Sequence, residues 1–322
     1  MIIKPLLLPL SIKKLKALQR RLAVDHPKRP LIEKELAQRM KGYRGELSLD
    51  FYLQHLPQKD YLILHDIRLP GNFSDFQMDL LVLSPFFVLN LEIKNISGSL
   101  LFDETHQQLI RSIEGKEEGF SYPMIQIKRQ EQLFKEWMSK NRCPIPPLIS
   151  LIVISSPQTI FRTKGPSTIN RMITRSALLP EKIDYLNQIH TQQIFNKRHL
   201  KRLSHLLIEQ HQPESFNPLE RFKIMPTELL TGVHCSSCFF LPLKRKRGKW
   251  FCAACLHYSS DAHIPSLEDY YLLFQPTITN QQCRQFLQLN SRDVVKHLLT
   301  ALNLPTSGST KGTVYHLSEL ES

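Results

Sequence analysis

The chain is short of acid. Its 322 residues hold 29 Asp and Glu against 42 Lys and Arg, a formal net charge of +13 with a sequence pI of about 9.5. That balance favours a polyanionic partner, with nucleic acid first. A basic surface with no dedicated partner accounts for the same charge. Long apolar runs are also missing. Leu6, Leu7 and Leu8 lie between Pro5 and Pro9, and the stretch ends at Ser11. It is too short and too broken for a signal-peptide core, and no later run approaches a membrane span. The expectation is a soluble, cytoplasmic protein with no membrane partner. Cysteine is sparse as well. Of six, four form two C-x-x-C pairs, while Cys143 and Cys283 stand alone. That spacing argues for metal rather than a disulfide framework. What is present is a 42% hydrophobic content, enough for a core and too much for wholesale disorder. The length allows one large domain and one or two small ones.

Residues 1–40 read as helical and basic, with 10 Lys and Arg against 3 acids. Leu15, Leu18 and Leu22 recur at helical spacing, so one face packs and the other is cationic. That cationic face suits a phosphate backbone, or is simply solvated. Gly42 and Gly45 then precede an apolar-periodic stretch (Leu47, Phe51, Leu53, Leu56), which places Glu46 in the first turn of a helix. The helix dipole favours a carboxylate there, and that alone would explain it. A strand is expected over 61–67, a turn at Pro70-Gly71-Asn72 and a hairpin over 77–94. Residues 98–121 suggest a small further hairpin and a loop. A helix follows from Pro123 to Met138, with Gln126 and Gln130 one turn apart, then a buried strand over 148–154. Residues 166–212 read as mostly helical, with a linker up to Pro226.

The hairpin QMDLLVLSPFFVLNLEIK carries three charges inside apolar strands: Asp79, Glu92 and Lys94. Strand alternation puts Glu92 and Lys94 on one face and Ile93 on the other. Charges are rare in such runs unless they are paired or bind metal. Asp79 and Glu92, on neighbouring strands, can converge on Mg²⁺ or Mn²⁺, with the Ile93 carbonyl as a third ligand. Lys94 would orient water or stabilise developing charge. An ion pair within the sheet is the alternative. It leaves two carboxylates against one lysine, which favours a metal.

Further on, Cys235-x-x-Cys238 and Cys252-x-x-Cys255 are separated by 13 residues. Two such knuckles complete a closed tetrahedral thiolate site for structural Zn²⁺. Between them lie Lys244, Arg245, Lys246, Arg247, Lys249 and Trp250. Cations beside an aromatic suit a nucleic-acid backbone and exposed bases. Equally, Trp250 can serve as the ribbon's own core. In the tail, Ser266 is a candidate cap for a helix ending near Phe274. Thr279–Leu287 and Arg292–Leu302 read as two more helices, and Ser307–Gly312 leads to a wing or strand at Val314–Leu317. Helix, turn, helix and wing suit nucleic acid, or serve only for packing.

Asp79, 12 residues, then Glu92-Ile-Lys94 resembles the PD-(D/E)XK nuclease motif. The element order resembles that superfamily's αβββαβ core. More closely, residues 38–160 resemble the nuclease-related domain family (NERD). The likeness rests on Gly42-x-x-Gly-Glu46, Met78-Asp79-Leu-Leu-Val, Leu91-Glu-Ile-Lys94 and Pro123-x-x-Gln126. Met78 departs from the motif's proline. The resemblance implies an α/β fold, a mixed sheet flanked by helices; the four-cysteine zinc ribbon and the helical C-terminal module, read from the residues themselves, are appended to it and look like DNA-targeting additions. It implies catalytic positions at Glu46, Asp79, Glu92 and Lys94, with Gln126 as a supporting polar residue. The domains expected are a basic helical segment (1–40), the nuclease-like domain (41–165), a helical extension and linker (166–226), the ribbon (230–260) and a helix-turn-helix-like module (264–322). The function expected is Mg²⁺-dependent hydrolysis of nucleic acid, DNA ahead of RNA. A non-catalytic DNA-binding protein with a nuclease-like fold is the first alternative, and a protein-binding scaffold the second.

Overall fold

A computed structural model of the chain describes residues 1–54, 56, 61–165, 168–309 and 312–321. The chain divides into two compact units, one of Met1–Leu8 with Gln38–Glu214, the other of Pro9–Ala37 with Ser215–Ser322. Among the described residues no helix is long and apolar enough to cross a membrane.

The chain starts with β1 (Ile2–Lys4), α1 (Leu10–Arg21), α2 (Arg29–Leu47) and α3 (Asp50–Leu53). Next come β2 (Leu62–Leu69), β3 (Phe76–Leu83) and β4 (Val88–Lys94), then β5 (Ser99–Asp103), β6 (Gln108–Ile113) and β7 (Lys116–Ser121). After them lie α4 (Pro123–Lys140), β8 (Leu148–Ile154), β9 (Ile160–Lys164), α5 (Thr168–Met172), β10 (Ile173–Arg175), α6 (Leu179–Ile189) and α7 (Lys197–Glu209).

The first unit is built on a six-stranded sheet in the order β1-β2-β3-β4-β8-β10. Strands β2, β3 and β4 run antiparallel, while β4–β8 and β8–β10 are parallel, so the sheet is mixed as expected. Apolar alternation buries both faces. Leu80, Val82, Leu89 and Leu91 pack with Leu53, Leu179 and Ile183 on one side. Leu81, Leu83 and Val88 pack with Phe134, Trp137, Leu203 and Leu207 on the other. The turn between β3 and β4 is closed by Ser84, whose Oγ accepts the amides of Phe86 (3.1 Å) and Phe87 (3.0 Å).

Three local expectations change. Gly42 and Gly45 do not open a helix but lie inside α2, so Glu46 occupies its last turn. Pairing in place of a loop makes residues 98–121 three strands, which β9 extends to a four-stranded sheet. Arg175 and its two predecessors form an edge strand inside a stretch read as helical.

The second unit adds α8 (Pro218–Phe222), β11 (Lys244–Lys246), β12 (Lys249–Phe251), β13 (Tyr258–Ser259), α9 (His263–Leu273), β14 (Thr277–Thr279), α10 (Asn280–Leu287), α11 (Arg292–Ala301), β15 (Thr306–Ser307) and β16 (Val314–His316). Helix α9 begins three residues before Ser266, which therefore does not cap it. The Ser266 hydroxyl instead donates to Ala262 O (3.1 Å) and accepts the His234 amide (3.1 Å). Thr279 and Gln282 form a capping box on α10, and Ser291 caps α11. Strands β14, β16 and β15 form one small sheet around this helix pair. Thr310 and Lys311 of the expected wing lie outside the described residues.

Much of the positive charge in α1 and in the residues leading into α2 is spent internally. Arg21 is fully buried, donating to Asp269 (2.8 Å) and Gly232 O (2.6 Å), and Arg20 pairs with the same Asp269. Lys14 donates to Phe216 O, and Lys28 to Phe222 O. These cations fasten the helices to the C-terminal segment rather than forming a freely solvated face.

Candidate active site and metal centre

Glu92 is 3% exposed in the middle of the first unit's sheet. Its carboxylate is held at both oxygens: the Lys94 ammonium lies 2.6 Å from Oε1, and the Gln130 amide donates to Oε2 at 2.8 Å. Lys94 reaches a second acceptor, the Gln126 side-chain oxygen, at 3.2 Å. Strand alternation and the first turn of α4 thus bring Glu92, Lys94 and Gln126 together. Asp79 joins from β3, its Oδ2 accepting the Ile93 amide at 2.8 Å. Part of the Asp79 residue stays accessible, yet its carboxyl group is enclosed. Burial first, then Glu92 and Glu46, holds it well above the usual carboxylate range, against the pull of the Ile93 amide and Lys94.

Glu46 reaches this neighbourhood from the end of α2. Burial, then Asp66 and Glu92, pushes its carboxyl up to about 8, while Lys4 acts in the opposite direction. The last turn of a helix presents carbonyl ends, so the dipole does not support an anion there, the reverse of a first-turn placement. Gly45 explains the close approach. A Cβ at this position would lie 2.5 Å from Asn95 Cβ and 2.9 Å from Ser155 Oγ, on the segments leaving β4 and β8. Asn95 ties that contact down by donating to Lys41 O (2.8 Å).

Three participants were not assigned to the site from the sequence, and of these only Gln130 carried a signal there. Lys4, 61 and 62 residues from its acceptors, donates to the carbonyls of His65 and Asp66, both at 2.8 Å, and faces Glu46 electrostatically. Gln130 is buried and bridges the Gln77 carbonyl, Glu92 and the Asn90 side chain. Asn90 is buried beside it, two residues before Glu92 on the same face of β4. Helical spacing marked Gln130 as one turn from Gln126, and a Gln buried on an apolar helix face needs a partner.

Glu46, Asp66, Asp79 and Glu92 therefore outnumber Lys4 and Lys94. The carboxylates are not tightly clustered. Among the described residues, only the four cysteines put three or more potential ligand atoms within 4.8 Å of one another. Two carboxylates with waters is a sufficient protein contribution for Mg²⁺, and Asp79 and Glu92 are the pair that could supply it.

Residues 41–155 match the family model of the nuclease-related domain, NERD. That match covers a little over a third of the chain. Glu46, Asp79, Glu92, Lys94 and Gln126 all fall inside it, as do Asn90 and Gln130, whereas Lys4 does not. No curated protein and no solved structure matches the chain at a significant level.

The second centre is the cysteine cluster. Cys235 Sγ lies 3.6 Å from Cys255 Sγ, and Cys238 Sγ 3.5 Å from Cys252 Sγ. Four thiols this close can hold one zinc ion and leave it no open position. Between the knuckles, the basic run forms β11 and β12, joined by Arg247 and Gly248 at φ 47 and 80. Lys244, Lys246, Arg247 and Lys249 are exposed, and Arg245 is half-buried. Trp250 corrects one expectation. It is 1% exposed, with Arg245 over its ring at 5.0 Å and its Nε1 donating to His263 Nδ1 at 3.4 Å. A small ribbon needs an aromatic core, and Trp250 fills it, so its ring is not free to stack on a base.

Proposed function

We propose that the NERD region is a metal-dependent phosphodiesterase that hydrolyses DNA in the cytoplasm, with Mg²⁺ or Mn²⁺ as cofactor and structural Zn²⁺ at Cys235, Cys238, Cys252 and Cys255. The observation that carries this reading is the surplus of enclosed carboxylate, with Asp79 and Glu46 both pushed toward their neutral forms by burial and by neighbouring acids. A divalent cation relieves such a surplus. In this reading Asp79 and Glu92 are its ligands, and the ion supplies an activated water and neutralises charge on the scissile phosphate. Lys94, close to Glu92, stabilises the negative charge that develops on the phosphate. Gln126 positions the Lys94 ammonium, Gln130 fixes the Glu92 carboxylate, and Glu46 completes the acidic wall. The ribbon cations Lys244, Arg245, Lys246, Arg247 and Lys249, with the helical module of 264–322, hold the nucleic acid.

One observation favours a second reading, a DNA-binding protein without cleavage: both Glu92 oxygens already have partners in Lys94 and Gln130. The test is cleavage of single- and double-stranded DNA and RNA by purified protein with Mg²⁺ or Mn²⁺. Metal-dependent products that vanish in Asp79→Ala and Lys94→Ala, with both variants folded, support the nuclease. No cleavage of any form, with salt-dependent binding intact, supports the binder.

A further inference from the structure

We infer that the outer face of the ribbon sheet, with Tyr258 on its edge strand as the stacking residue, binds single-stranded nucleic acid. The inference adds a strand type and named residues to the reading of the chain as acting on nucleic acid, on which it rests.

The register separates the two faces of this sheet. Arg245 pairs with Trp250, and Trp250 with Ser259, giving the inner face, where Trp250 is buried. Lys244 pairs with Phe251, and Phe251 with Tyr258, while Lys246 pairs with Lys249. Strand alternation places these five on the opposite, outer face. There the Phe251 ring lies between two neighbours, the Lys246 ammonium 4.0 Å from its centroid and the Tyr258 ring at 4.8 Å. Tyr258 is 52% exposed on the edge strand, so part of its ring is open to solvent.

Charge points to what covers this face. No Asp or Glu occurs between Glu228 and Asp261, while five Lys and Arg do. The two negative charges of a zinc tetrathiolate would leave the stretch positive. Lys246 and Lys249 sit directly across from each other, an arrangement that destabilises a strand pair unless an anion offsets it. A phosphate backbone supplies that anion, and an open aromatic ring beside it supplies a stacking surface for a base. Base faces are available in single strands and hidden in a duplex, which selects the single-stranded form. Trp250, the aromatic that sequence alone singles out, is replaced in this role by Tyr258.

The experiment measures binding of fluorescent oligothymidylate, oligouridylate and a DNA duplex by anisotropy. It uses full-length protein carrying Lys94→Ala, without added Mg²⁺ or Mn²⁺, so binding is read whether or not the wild type cleaves. Zinc content equal to that of the parent establishes that each ribbon variant is folded. Tyr258→Ala is expected to weaken single-strand binding about 10-fold, from the loss of one stacked base, while Tyr258→Phe stays close to the parent. Duplex binding should change far less. Lys244→Ala, Lys246→Ala and Lys249→Ala combined should lower the slope of log affinity against log salt by about 2, at about 0.7 per phosphate contact. Unchanged single-strand affinity in folded Tyr258→Ala overturns the inference, as does equal loss for single strand and duplex. Capture of a protein through this face, with oligonucleotide binding untouched in every ribbon variant, replaces it with a protein-docking surface.

Discussion

The two candidate metal centres of this chain are built in opposite ways. The cysteine cluster draws all its ligands from 235–255, on two knuckles each set by its own C-x-x-C spacing. The carboxylate site draws Glu46, Asp79, Glu92, Lys94 and Gln126 from the end of α2, from β3 and β4, and from the start of α4, and adds Lys4 from β1. The first has four soft ligands, two buried and two exposed, that can close a tetrahedral site, which suits holding structure. The second gathers carboxylates of unequal environment beside a cation, and as ligands of a hard ion, the role proposed for them, they would suit chemistry on a phosphate. A local site depends on its own loops, whereas a dispersed site depends on the whole sheet.

The largest expected effect tests that dependence at the cysteines. Cys252→Ser, or zinc removal by a chelator, should abolish zinc binding and expose 229–260 to protease, since zinc supplies about 10 kcal/mol or more in small zinc modules. Limited proteolysis with mass spectrometry reads the outcome. Fragments that arise first within 41–155 would break the comparison. Next is Lys94→Ala, expected to lower metal-dependent cleavage about 100- to 1000-fold, the range for losing one charge-stabilising group. Its thermal midpoint should fall by far less in free-energy terms than the cleavage rate, because Glu92 keeps Gln130 as a partner when its ion pair is lost. Equal losses of activity and stability would mark the lysine as structural.

A smaller effect is expected at Gln130. Gln130→Leu strands Glu92 Oε2, the Asn90 amide and the Gln77 carbonyl, at about 1–3 kcal/mol for unsatisfied buried groups. Denaturant melts should show it, and cleavage should fall with it because Glu92 loses its fixed orientation. The smallest effect concerns the ribbon's core at acid pH. Burial, then Arg245, lowers the His263 imidazole to about 4, against the weaker pull of Asp261. The unfolded chain binds that proton near pH 6.5, so it holds more protons than the folded chain between the two values. Stability is therefore full above about pH 6.5 and declines as pH falls toward 4, by about 1–2 kcal/mol once the full linkage value of about 3 kcal/mol is discounted for solvent screening of a ring that is not fully enclosed. His263→Phe should flatten this part of the pH–stability curve, and a wild-type curve already flat there counts against the assignment.

How much of this could be read beforehand follows the same division. The cysteine spacing and the hairpin of β3 and β4 are local patterns, and both stand in the fold as expected. Glu46 was visible as a residue, but its place in a helix was inverted. Gly42 and Gly45 look like breaks in sequence, and only Asn95 and Ser155, fifty and more residues away, explain why Gly45 sits inside α2. Strand β10 is three residues long and is defined by pairing with β8, which no local periodicity records. Lys4 is one of many N-terminal lysines until β1 pairs with β2 and brings it near Glu46. Trp250 belonged to a face that could be decided only by which strand neighbour it faced.

The second unit joins Pro9–Ala37 to Ser215–Ser322, and Arg21 is neutralised by Asp269, 248 positions later. At about 5–20 residues per second of synthesis, α1 waits about 12–50 seconds for its partners to exist. During that interval Leu15, Leu18 and Ile32, all buried in the finished unit, have no permanent cover. The cations of α1 are thus in place before their partners exist, and Arg20 and Arg21 then fasten the helix to a carboxylate made 249 and 248 positions later.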